Sequence, residues 1–415
     1  MDEQTPTLSC DEKDALTDRV RAWSPDAPAR SAYLMFGKPD IRQPEIDEVL
    51  AALQSAWIGT GPRASRFEEQ FASYIGAPHA VAMNSCTAAL HLALVAIDLR
   101  PGDEVIVPSM TFASTANVVV HAGGRPVLAD VRRDTMCLDP NEIAARVTPR
   151  TKAIIPVHFA GRACDMDEIM RLARLHDLRV IEDCAHAVET LYHGKHAGTI
   201  GDIAAFSFYA TKNVVTGEGG MLTTANAAWV PRIRALRLHG LSGDAWKRFS
   251  DDGFKQYEIV EPGFKYNMMD LQAALGLHQL ARVEAGLVRR SEVWARYNAA
   301  FSDLPALLPA PDAPDTRHGR HLYTILLDLE RLTADRDTIQ AALHKQFIGT
   351  GVHFRALHLH QYYREVHGYR RGDLPNAEWI SERTLSLPLS SALTDEEVDD
   401  VVFAVTRTLE HFSRR

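Results

Sequence analysis

The stretch Phe206-Ser207-Phe208-Tyr209-Ala210-Thr211-Lys212 leads from an apolar strand into a turn, and Gly217-Glu218-Gly219-Gly220 follows shortly after it. A second apolar run, Val180-Ile181-Glu182-Asp183, comes one structural unit earlier and ends on a carboxylate. A lysine captures carbonyl groups only when its amine loses its proton near neutral pH, which burial beside apolar and cationic groups achieves. A carboxylate at a strand end can pair with the ring nitrogen of pyridoxal phosphate (PLP). Lys212 and Asp183 together therefore predict PLP chemistry.

Short apolar runs rich in β-branched residues alternate with helix-length segments between about residues 40 and 240. This alternation is typical of strands joined by crossover helices, which form a mostly parallel sheet covered on both faces. We therefore predict an α/β fold. The predicted strands are 81–83, 104–108, 126–131, 153–157, 179–183, 204–208 and 220–224, and the predicted helices include 88–96, 113–121, 140–147 and 166–176.

A different pattern begins near Asp270. Two long helical segments precede a Pro-rich break at 308–314, which is followed by a strand-like segment over 321–327 and a helix that ends before Gly349. This order predicts a second, smaller α+β domain at the end of the chain. The predicted organisation is an N-terminal extension over 1–33, loosely packed or disordered, a large PLP-binding domain over 34–285, and a small C-terminal domain over 286–415.

The composition is that of an ordinary globular protein, with 46% hydrophobic and 24% charged residues. A formal net charge of -9 gives no basic surface for a phosphate backbone, so we expect no nucleic-acid partner. No apolar run approaches the ~20 residues of a membrane span, and the N-terminus is acidic, which predicts a cytoplasmic protein without a membrane partner. The five cysteines lack a Cys-x-x-Cys pair, so we expect reduced core thiols and no metal site; they are Cys10, Cys86, Cys137, Cys164 and Cys184.

The segment Asn84–Leu90 follows the first predicted strand and opens a helix. Its backbone amides would point out of a helix N-terminus, which is a ready site for a phosphate. The alternative is simple capping of the helix by Ser85 or Thr87. Ser207 could be a second phosphate donor, or it could bond to neighbouring backbone within its strand. The position of the first turn at the carboxyl end of a strand favours the anion site.

Several side chains near strand ends could contact an aromatic cofactor. Phe112 could cover one face of its ring, although a core phenylalanine is the alternative. His186 could reach its phenolic oxygen or hold a neighbouring side chain. Asp183 needs a buried partner, either the ring nitrogen or a Lys or Arg. Lys212 could be a solvated lysine, but the apolar strand before it and the glycines after it favour a buried amine.

These motifs resemble the DegT/DnrJ/EryC1/StrS family of PLP-dependent nucleotide-sugar aminotransferases. The resemblance covers nearly everything after residue 35 and implies fold type I, the fold of aspartate aminotransferase. Within the family, the chain is most similar to the UDP-4-amino-4-deoxy-L-arabinose aminotransferase group. The stretches that carry the family resemblance are 59–62, 84–90, 108–112, 182–187, 206–220, 263–279 and 386–389, and those that carry the group resemblance are 108–111, 155–161, 265–267 and 348–355.

The resemblance implies roles for individual residues. Lys212 would bind the cofactor covalently and move the proton, Asp183 would pair with the ring nitrogen, and His186 would act beside the ring. The remaining cofactor contacts would be a stacking ring and phosphate ligands, namely Phe112, Cys86, Thr87 and Ser207. Candidate substrate contacts are Thr60 or Trp57, His353, Arg355 and His358, and a structural role is equally compatible with each of them.

Many members place an asparagine of the neighbouring subunit on the phosphate, in a Gly-Tyr-Asn-x-Arg-Met stretch. Here that stretch reads Gly263-Phe264-Lys265-Tyr266-Asn267-Met268, so either Asn267 or Lys265 would contact the phosphate. The resemblance thereby implies a homodimer with shared active sites.

The implied reaction moves an amino group from an amino acid, with L-glutamate as the expected donor, to the C4 ketone of a nucleotide-linked sugar. Amination at C3 of a keto-deoxy sugar nucleotide is an alternative, and so is a PLP-binding regulator without catalysis. Sugar 3-dehydratases of the family carry His where Lys212 stands, so the lysine argues against dehydration. Lys212, Asp183 and Ser207 together argue against the regulator.

Overall fold

The computed structural model describes residues 24–25, 28–242 and 257–414. Most of the predicted N-terminal extension, together with Cys10, lies outside these ranges, so its predicted disorder stays a prediction. The four cysteines in the described part of the chain are free and buried, which confirms the expectation of reduced core thiols for them; they are Cys86, Cys137, Cys164 and Cys184.

The described part of the chain alternates strands and helices through its first two thirds. The strands are β1 (His79–Met83), β2 (Glu104–Pro108), β3 (Arg125–Ala129), β4 (Thr151–Ile154), β5 (Arg179–Asp183), β6 (Leu191–Tyr192), β7 (Lys195–His196), β8 (Ile203–Ser207), β9 (Gly220–Thr224), β10 (Ala306–Leu307), β11 (Thr316–Arg317), β12 (Tyr323–Leu327) and β13 (Thr384–Leu387). The helices are α1 (Gln43–Gln54), α2 (Pro62–Ile75), α3 (Cys86–Ala96), α4 (Ala113–His121), α5 (Pro140–Arg146), α6 (Met166–Leu175), α7 (Trp229–Leu236), α8 (Asp270–Ala281), α9 (Val283–Phe301), α10 (Arg336–Lys345), α11 (Gln361–His367), α12 (Pro375–Arg383) and α13 (Asp395–His411). Over the described ranges, none of these helices is both long and apolar enough to cross a bilayer.

The central sheet has seven strands in the order β1-β9-β8-β5-β4-β2-β3. Only β9 is antiparallel to its neighbours, β1 and β8, and the other pairs are parallel. The prediction of a mostly parallel α/β sheet is confirmed. Because β1, β2, β5 and β8 run in one direction, their carboxyl ends lie at one edge of the sheet, where open α/β sheets bind ligands.

Both faces of this sheet are buried, as near-continuous apolar strands predict. Along β1, Val81 and Met83 belong to one apolar cluster, whereas Ala80 and Ala82 belong to another. Since successive side chains of a strand point to opposite faces, the two clusters lie on opposite sides of the sheet. Helix α3 is apolar almost all round and is buried along most of its length, which fixes the position of its N-terminus against the sheet edge.

A second apolar core forms around the antiparallel sheet β10-β12-β13. Helices α9, α10 and α13 pack on it, with Tyr297, Phe301 and Tyr323 among its largest buried side chains. The predicted strand 321–327 begins two residues later than expected, at Tyr323. His321 therefore lies in the loop before β12 rather than within the strand. The predicted limits of the two domains stay predictions.

Candidate active site

The carboxyl edge of the central sheet brings the predicted phosphate ligands together. Gly220, the first residue of β9, pairs with Met83 of β1 on one side and with Ser207 of β8 on the other. A Cβ atom on Gly220 would lie 2.4 Å from the carbonyl carbon of Ser85 and 2.5 Å from the nitrogen of Cys86. Only glycine permits this close approach of β9 to the N-terminus of α3.

The helix N-terminus keeps backbone donors available beside its cap. The Oγ of Ser85 accepts a 3.1 Å hydrogen bond from the N–H of Ala88, so the predicted cap is present at Ser85. Capping and anion binding are compatible here, because the cap uses the amide of Ala88 and leaves those of Cys86 and Thr87. Cys86 is buried and Thr87 is exposed. Ser207 is buried, and its Oγ accepts a long 3.4 Å bond from the N–H of Tyr209.

Lys212 lies in the loop after β8, where its N–H donates a 2.8 Å hydrogen bond to the carbonyl of Tyr209. Part of the residue is exposed, yet enough protein surrounds the amine that burial lowers the pKa of Lys212 to about 8. Cys86 and Asp183 act in the opposite direction on this pKa. A pKa near 8 leaves about one amine in ten neutral at pH 7, against about one in three thousand for an ordinary lysine.

Asp183 ends β5 and is almost completely buried. Its Oδ2 accepts a 2.8 Å hydrogen bond from the hydroxyl of Thr115, and its Oδ1 accepts one of 3.1 Å from the N–H of Ala185. Burial raises the pKa of Asp183, while Thr115, Ala185 and then Lys212 lower it. No Lys or Arg forms an ion pair with Asp183 among the residues that the structure describes. The carboxylate is thus oriented but lacks the cationic partner that a buried charge requires.

Glu182, beside Asp183 in sequence, is satisfied within the protein. It accepts hydrogen bonds from the backbone N–H groups of Gly198, Ile200 and Gly201, and from Nε2 of His158. The ligand atoms of His158, Glu182 and Cys184 lie within 4.8 Å of one another, the spacing of a possible metal site. The four hydrogen bonds account for the buried carboxylate without an ion.

Two aromatic side chains border the same edge. Phe112 caps α4 and is 63% exposed, an unusual position for a large apolar ring. His186 is buried, and its ring lies parallel to that of Phe354 with centroids 6.2 Å apart. Burial, followed by the charge of Lys212, lowers the pKa of His186 well below its usual value, so the ring is neutral. Because its ring is exposed, Phe112 is available to stack on a planar ligand.

The 263–268 segment lies beside the end of β1. The N–H of Asn84 donates a 2.7 Å hydrogen bond to the carbonyl of Tyr266, and Met83 forms an isolated bridge with Asn267. The Nζ of Lys265 donates a 2.6 Å bond to Oδ1 of Asn267, so the two alternative phosphate ligands contact each other. Nδ2 of Asn267 donates to the hydroxyl of Thr60 at 2.5 Å. Thr60 is thereby joined to this segment.

The predicted substrate contacts of the C-terminal part differ in position. Burial lowers the pKa of His353 to about 4, and the charge of Lys212 is the second cause. His353 is therefore close to Lys212. Arg355 is exposed and lines a surface cavity with Arg336 and Arg371, which does not include Lys212. His358 is fully buried, with Nδ1 2.8 Å from Ser109 Oγ and Nε2 3.0 Å from Glu378 Oε1.

Both ring nitrogens of His358 have partners within the protein, and its role in substrate binding stays a prediction. The histidine also joins the 3-10 turn at Leu357–Leu359 to Ser109, which follows β2. Trp57, the alternative to Thr60, donates through Nε1 to the carbonyl of Thr60 at 3.2 Å.

Three residues at this edge carry contacts that the sequence did not predict. Thr115 orients Asp183, and Asn213 and His321 bond to each other next to Lys212. The run His321–Leu327 predicts only a strand. A polar Thr on the otherwise apolar side of α4, and an Asn directly after the lysine, were the available signals.

The sequence matches the model of the DegT/DnrJ/EryC1/StrS aminotransferase family over residues 39–406. The chain belongs to this family. The spore coat polysaccharide biosynthesis protein SpsC of Bacillus subtilis is 50% identical over 377 residues, which are 91% of this chain and 97% of SpsC. Helicobacter pylori PseC, an aminotransferase involved in the biosynthesis of pseudoaminic acid, has a TM-score of 0.85 at 28% identity and covers 92% of this chain and 100% of its own.

A further solved relative bears on the cofactor. Spr1654 of Streptococcus pneumoniae has a PMP-form with a TM-score of 0.85 and 34% identity, covering 91% of this chain and 99% of its own, and a PLP-form is solved as well. This chain, as a member of the DegT/DnrJ/EryC1/StrS family, is accordingly a PLP-dependent sugar aminotransferase of fold type I.

The residues present fit PLP. Asp183 is a buried carboxylate without a cationic partner in the described structure, and the close approach at Gly220 leaves a backbone cradle at the start of α3. The exposed ring of Phe112 and the amine of Lys212 belong to the same edge. The family assignment and the local chemistry therefore agree.

Proposed function

We propose that this aminotransferase moves an amino group from L-glutamate to the C4 ketone of a nucleotide-linked sugar, with Lys212 and Asp183 as the central catalytic pair. The observation that carries the proposal is the amine of Lys212. Burial lowers its pKa to about 8, and it lies close enough to the buried carboxylate of Asp183 for their charges to interact. The two half-reactions share one site, so ping-pong kinetics are expected.

Bound PLP supplies an aldehyde that takes up an amino group and a ring that withdraws electrons from the reacting carbon. Asp183 would pair with the ring nitrogen and favour its protonated form, because a buried carboxylate stabilises a cation beside it. Thr115 holds that carboxylate in place. Lys212 would accept and return a proton at Nζ, a task that suits its pKa near 8 because both protonation states are then populated near neutral pH.

The other contacts bind and orient. The N–H groups of Cys86 and Thr87 and the hydroxyl of Ser207 would hold the phosphate at the positive end of the α3 dipole. Phe112 would cover one face of the ring. The Nδ1 of His186 accepts a 3.2 Å hydrogen bond from the N–H of Ala160, so its neutral ring carries the proton on Nε2 and can donate to the phenolic oxygen.

The sugar and its C4 position rest on the resemblance to the UDP-4-amino-4-deoxy-L-arabinose aminotransferase group. The supporting stretches are 108–111, 155–161, 265–267 and 348–355. His353 and Thr60 are the proposed sugar contacts, and Arg355 is proposed for the nucleotide part because its guanidinium lies farther out and is exposed. C3 amination remains the second outcome of the test.

We also propose a homodimer in which the 263–268 segment serves the partner's cofactor. Lys265 is exposed within this segment, Met269 is exposed just after it, and the large side chain of Tyr209 is exposed as well. Asn267 is the proposed phosphate ligand, because its amide can donate while Lys265 holds its Oδ1. Exposed apolar groups beside a polar site are typical of a surface that another chain covers.

The test incubates the PLP-loaded protein with L-glutamate and a panel of 4-keto and 3-keto sugar nucleotides, with products identified by mass spectrometry and NMR. Amination of a 4-keto sugar nucleotide is expected, and Lys212→Ala should abolish it. Amination of 3-keto substrates alone would contradict the C4 assignment. A Lys212→Ala variant with full transaminase activity would reject the catalytic assignment.

A further inference from the structure

A network of polar side chains, buried at Glu189 and His321 and half-buried at Asn213, includes the residue next to Lys212. Nδ2 of Asn213 donates 2.9 Å hydrogen bonds both to Oε2 of Glu189 and to the carbonyl of Gly319. Oδ1 of Asn213 lies 3.1 Å from Nδ1 of His321. Glu189 is fully buried, and its other oxygen pairs with the guanidinium of Arg290. Every side chain of this network is therefore held by a hydrogen bond or an ion pair.

These contacts fix which nitrogen of His321 carries a proton. A carboxylate and a carbonyl can only accept, so the amide of Asn213 must turn its NH₂ toward Glu189 and Gly319. Its Oδ1 then faces His321 and can only accept, which requires the proton on Nδ1 of His321. Burial, and then the charge of Lys212, lowers the pKa of His321 well below its usual value. The neutral ring consequently leaves Nε2 as an acceptor.

The ring of His321 lies beside that of His186, the predicted neighbour of the cofactor ring. Its centroid is 4.5 Å from that of His186, with 37° between the planes. Its Nε2 has no hydrogen-bond partner in the part of the chain that the structure covers. The neighbouring His186 has the opposite tautomer, because its Nδ1 accepts a hydrogen bond from the N–H of Ala160 and its Nε2 therefore carries the proton and donates. The two rings present one fixed donor and one fixed acceptor.

We propose that Nε2 of His321 accepts a hydrogen bond from a hydroxyl group of the sugar substrate, and that Asn213 and Glu189 are positioning residues that hold the required tautomer. This inference rests on the sugar aminotransferase function. The carboxylates of an amino-acid donor need hydrogen-bond donors or cations, and its amino group is the group that reacts with the cofactor, so neither needs an acceptor nitrogen at this place. A sugar presents hydroxyl donors. His321 thus acts in the sugar half-reaction and not in the amino-acid half-reaction.

The first experiment measures the two half-reactions separately by the cofactor absorbance in His321→Asn and His321→Gln. Asn places an amide near the position of Nδ1 and loses the acceptor at Nε2, whereas Gln places an amide oxygen near Nε2. We expect His321→Asn to slow the sugar half-reaction about 10- to 100-fold, the usual effect of a lost substrate hydrogen bond, with the L-glutamate half-reaction changed less than about threefold. His321→Gln should recover part of the loss. Equal loss in both half-reactions would overturn the proposal.

The second experiment reads the tautomer itself by ¹H–¹⁵N NMR of histidine-labelled holoprotein, with the His321 signal assigned from its absence in His321→Asn. The expected signal is that of a neutral ring protonated on Nδ1, and the Nε2 resonance should shift when a keto sugar nucleotide is added to the PLP-form. Asn213→Leu should change the tautomer signal. A ring protonated on Nε2, or an Nε2 resonance unmoved by the sugar nucleotide, would contradict the proposal. These readouts do not depend on turnover, so they are separate from a failure of the C4 assignment.

Discussion

The hydroxyl of Thr115 donates a 2.8 Å hydrogen bond to Oδ2 of Asp183, and thereby ties the first turns of α4 to the end of β5. Thr111, one turn earlier, lies 2.9 Å from the Thr115 hydroxyl. Both threonines are buried. A buried carboxylate keeps its charge only where donors and cations stabilise it, so Thr115 supports the charged form of Asp183 before any ligand binds.

Thr115→Val removes this donor while keeping the shape of the side chain. We expect the free energy of unfolding to fall by about 1–3 kcal/mol in urea titrations, because Asp183 loses a buried partner. The matched control is Thr408→Val, since the hydroxyl of Thr408 is buried without a partner in the described structure. That control should be neutral or stabilising. Equal effects at the two positions would contradict the importance of the Thr115 contact.

Asp183→Asn tests the charge with little change of shape. The hydroxyl of Thr115 can accept as well as donate, so an amide at position 183 keeps its hydrogen bonds. We expect the transamination rate to fall at least about 100-fold, since the ring nitrogen loses its anionic partner. The measurement is single-turnover kinetics with L-glutamate. A rate within about twofold of the wild type would exclude the proposed role of Asp183.

Gly220→Ala tests the cradle at the start of α3. Its Cβ would lie 2.4–2.6 Å from the backbone of Ser85 and Cys86, so the helix or the strand must shift. We expect weaker binding of PLP and a loss of about 1–3 kcal/mol in stability. Gly59→Ala is the control, because a Cβ there would meet nothing within 4 Å. PLP titration followed by fluorescence checks both variants, and unchanged affinity in Gly220→Ala would argue against a phosphate site at this turn.

The pKa of Lys212 predicts a pH dependence of labelling. Only the neutral amine is a nucleophile, so the rate at which the cofactor-free protein reacts with an amine reagent at Lys212 should be constant above about pH 8 and fall as the pH drops through that value. Below it, the rate should decrease about tenfold per pH unit. Peptide mass spectrometry follows the Lys212 peptide. A midpoint near 10.5, the ordinary value for lysine, would show that the amine is not perturbed.

The sheet could be predicted from sequence because each of its strands is indicated by a short apolar run of neighbouring residues. The apolar runs ending at Pro108, Asp183 and Ser207 needed no distant information, and their common direction places these ends at one edge. The predicted start of β12 is two residues too early, because the apolar pattern does not say where hydrogen bonding between β12 and β13 begins. The limits of the two domains also stay predictions.

Side chains that act through tertiary contacts could not be predicted. His358 and His321 are both C-terminal histidines near apolar residues, yet one is fully bonded within the protein and the other keeps a free nitrogen. Only the positions of Ser109, Glu378 and Asn213 distinguish them, and the histidine pattern in the sequence does not reveal these partners. Individual roles of the site residues, including the choice between Lys265 and Asn267, stay predictions.

The central claim is that Lys212 is the residue that PLP modifies. The most direct test is borohydride reduction of the PLP-loaded protein, followed by proteolysis and mass spectrometry of the peptides. The account predicts one cofactor adduct, on Lys212, and none in Lys212→Ala. An adduct on another lysine, or an unmodified Lys212 in fully active protein, would contradict it.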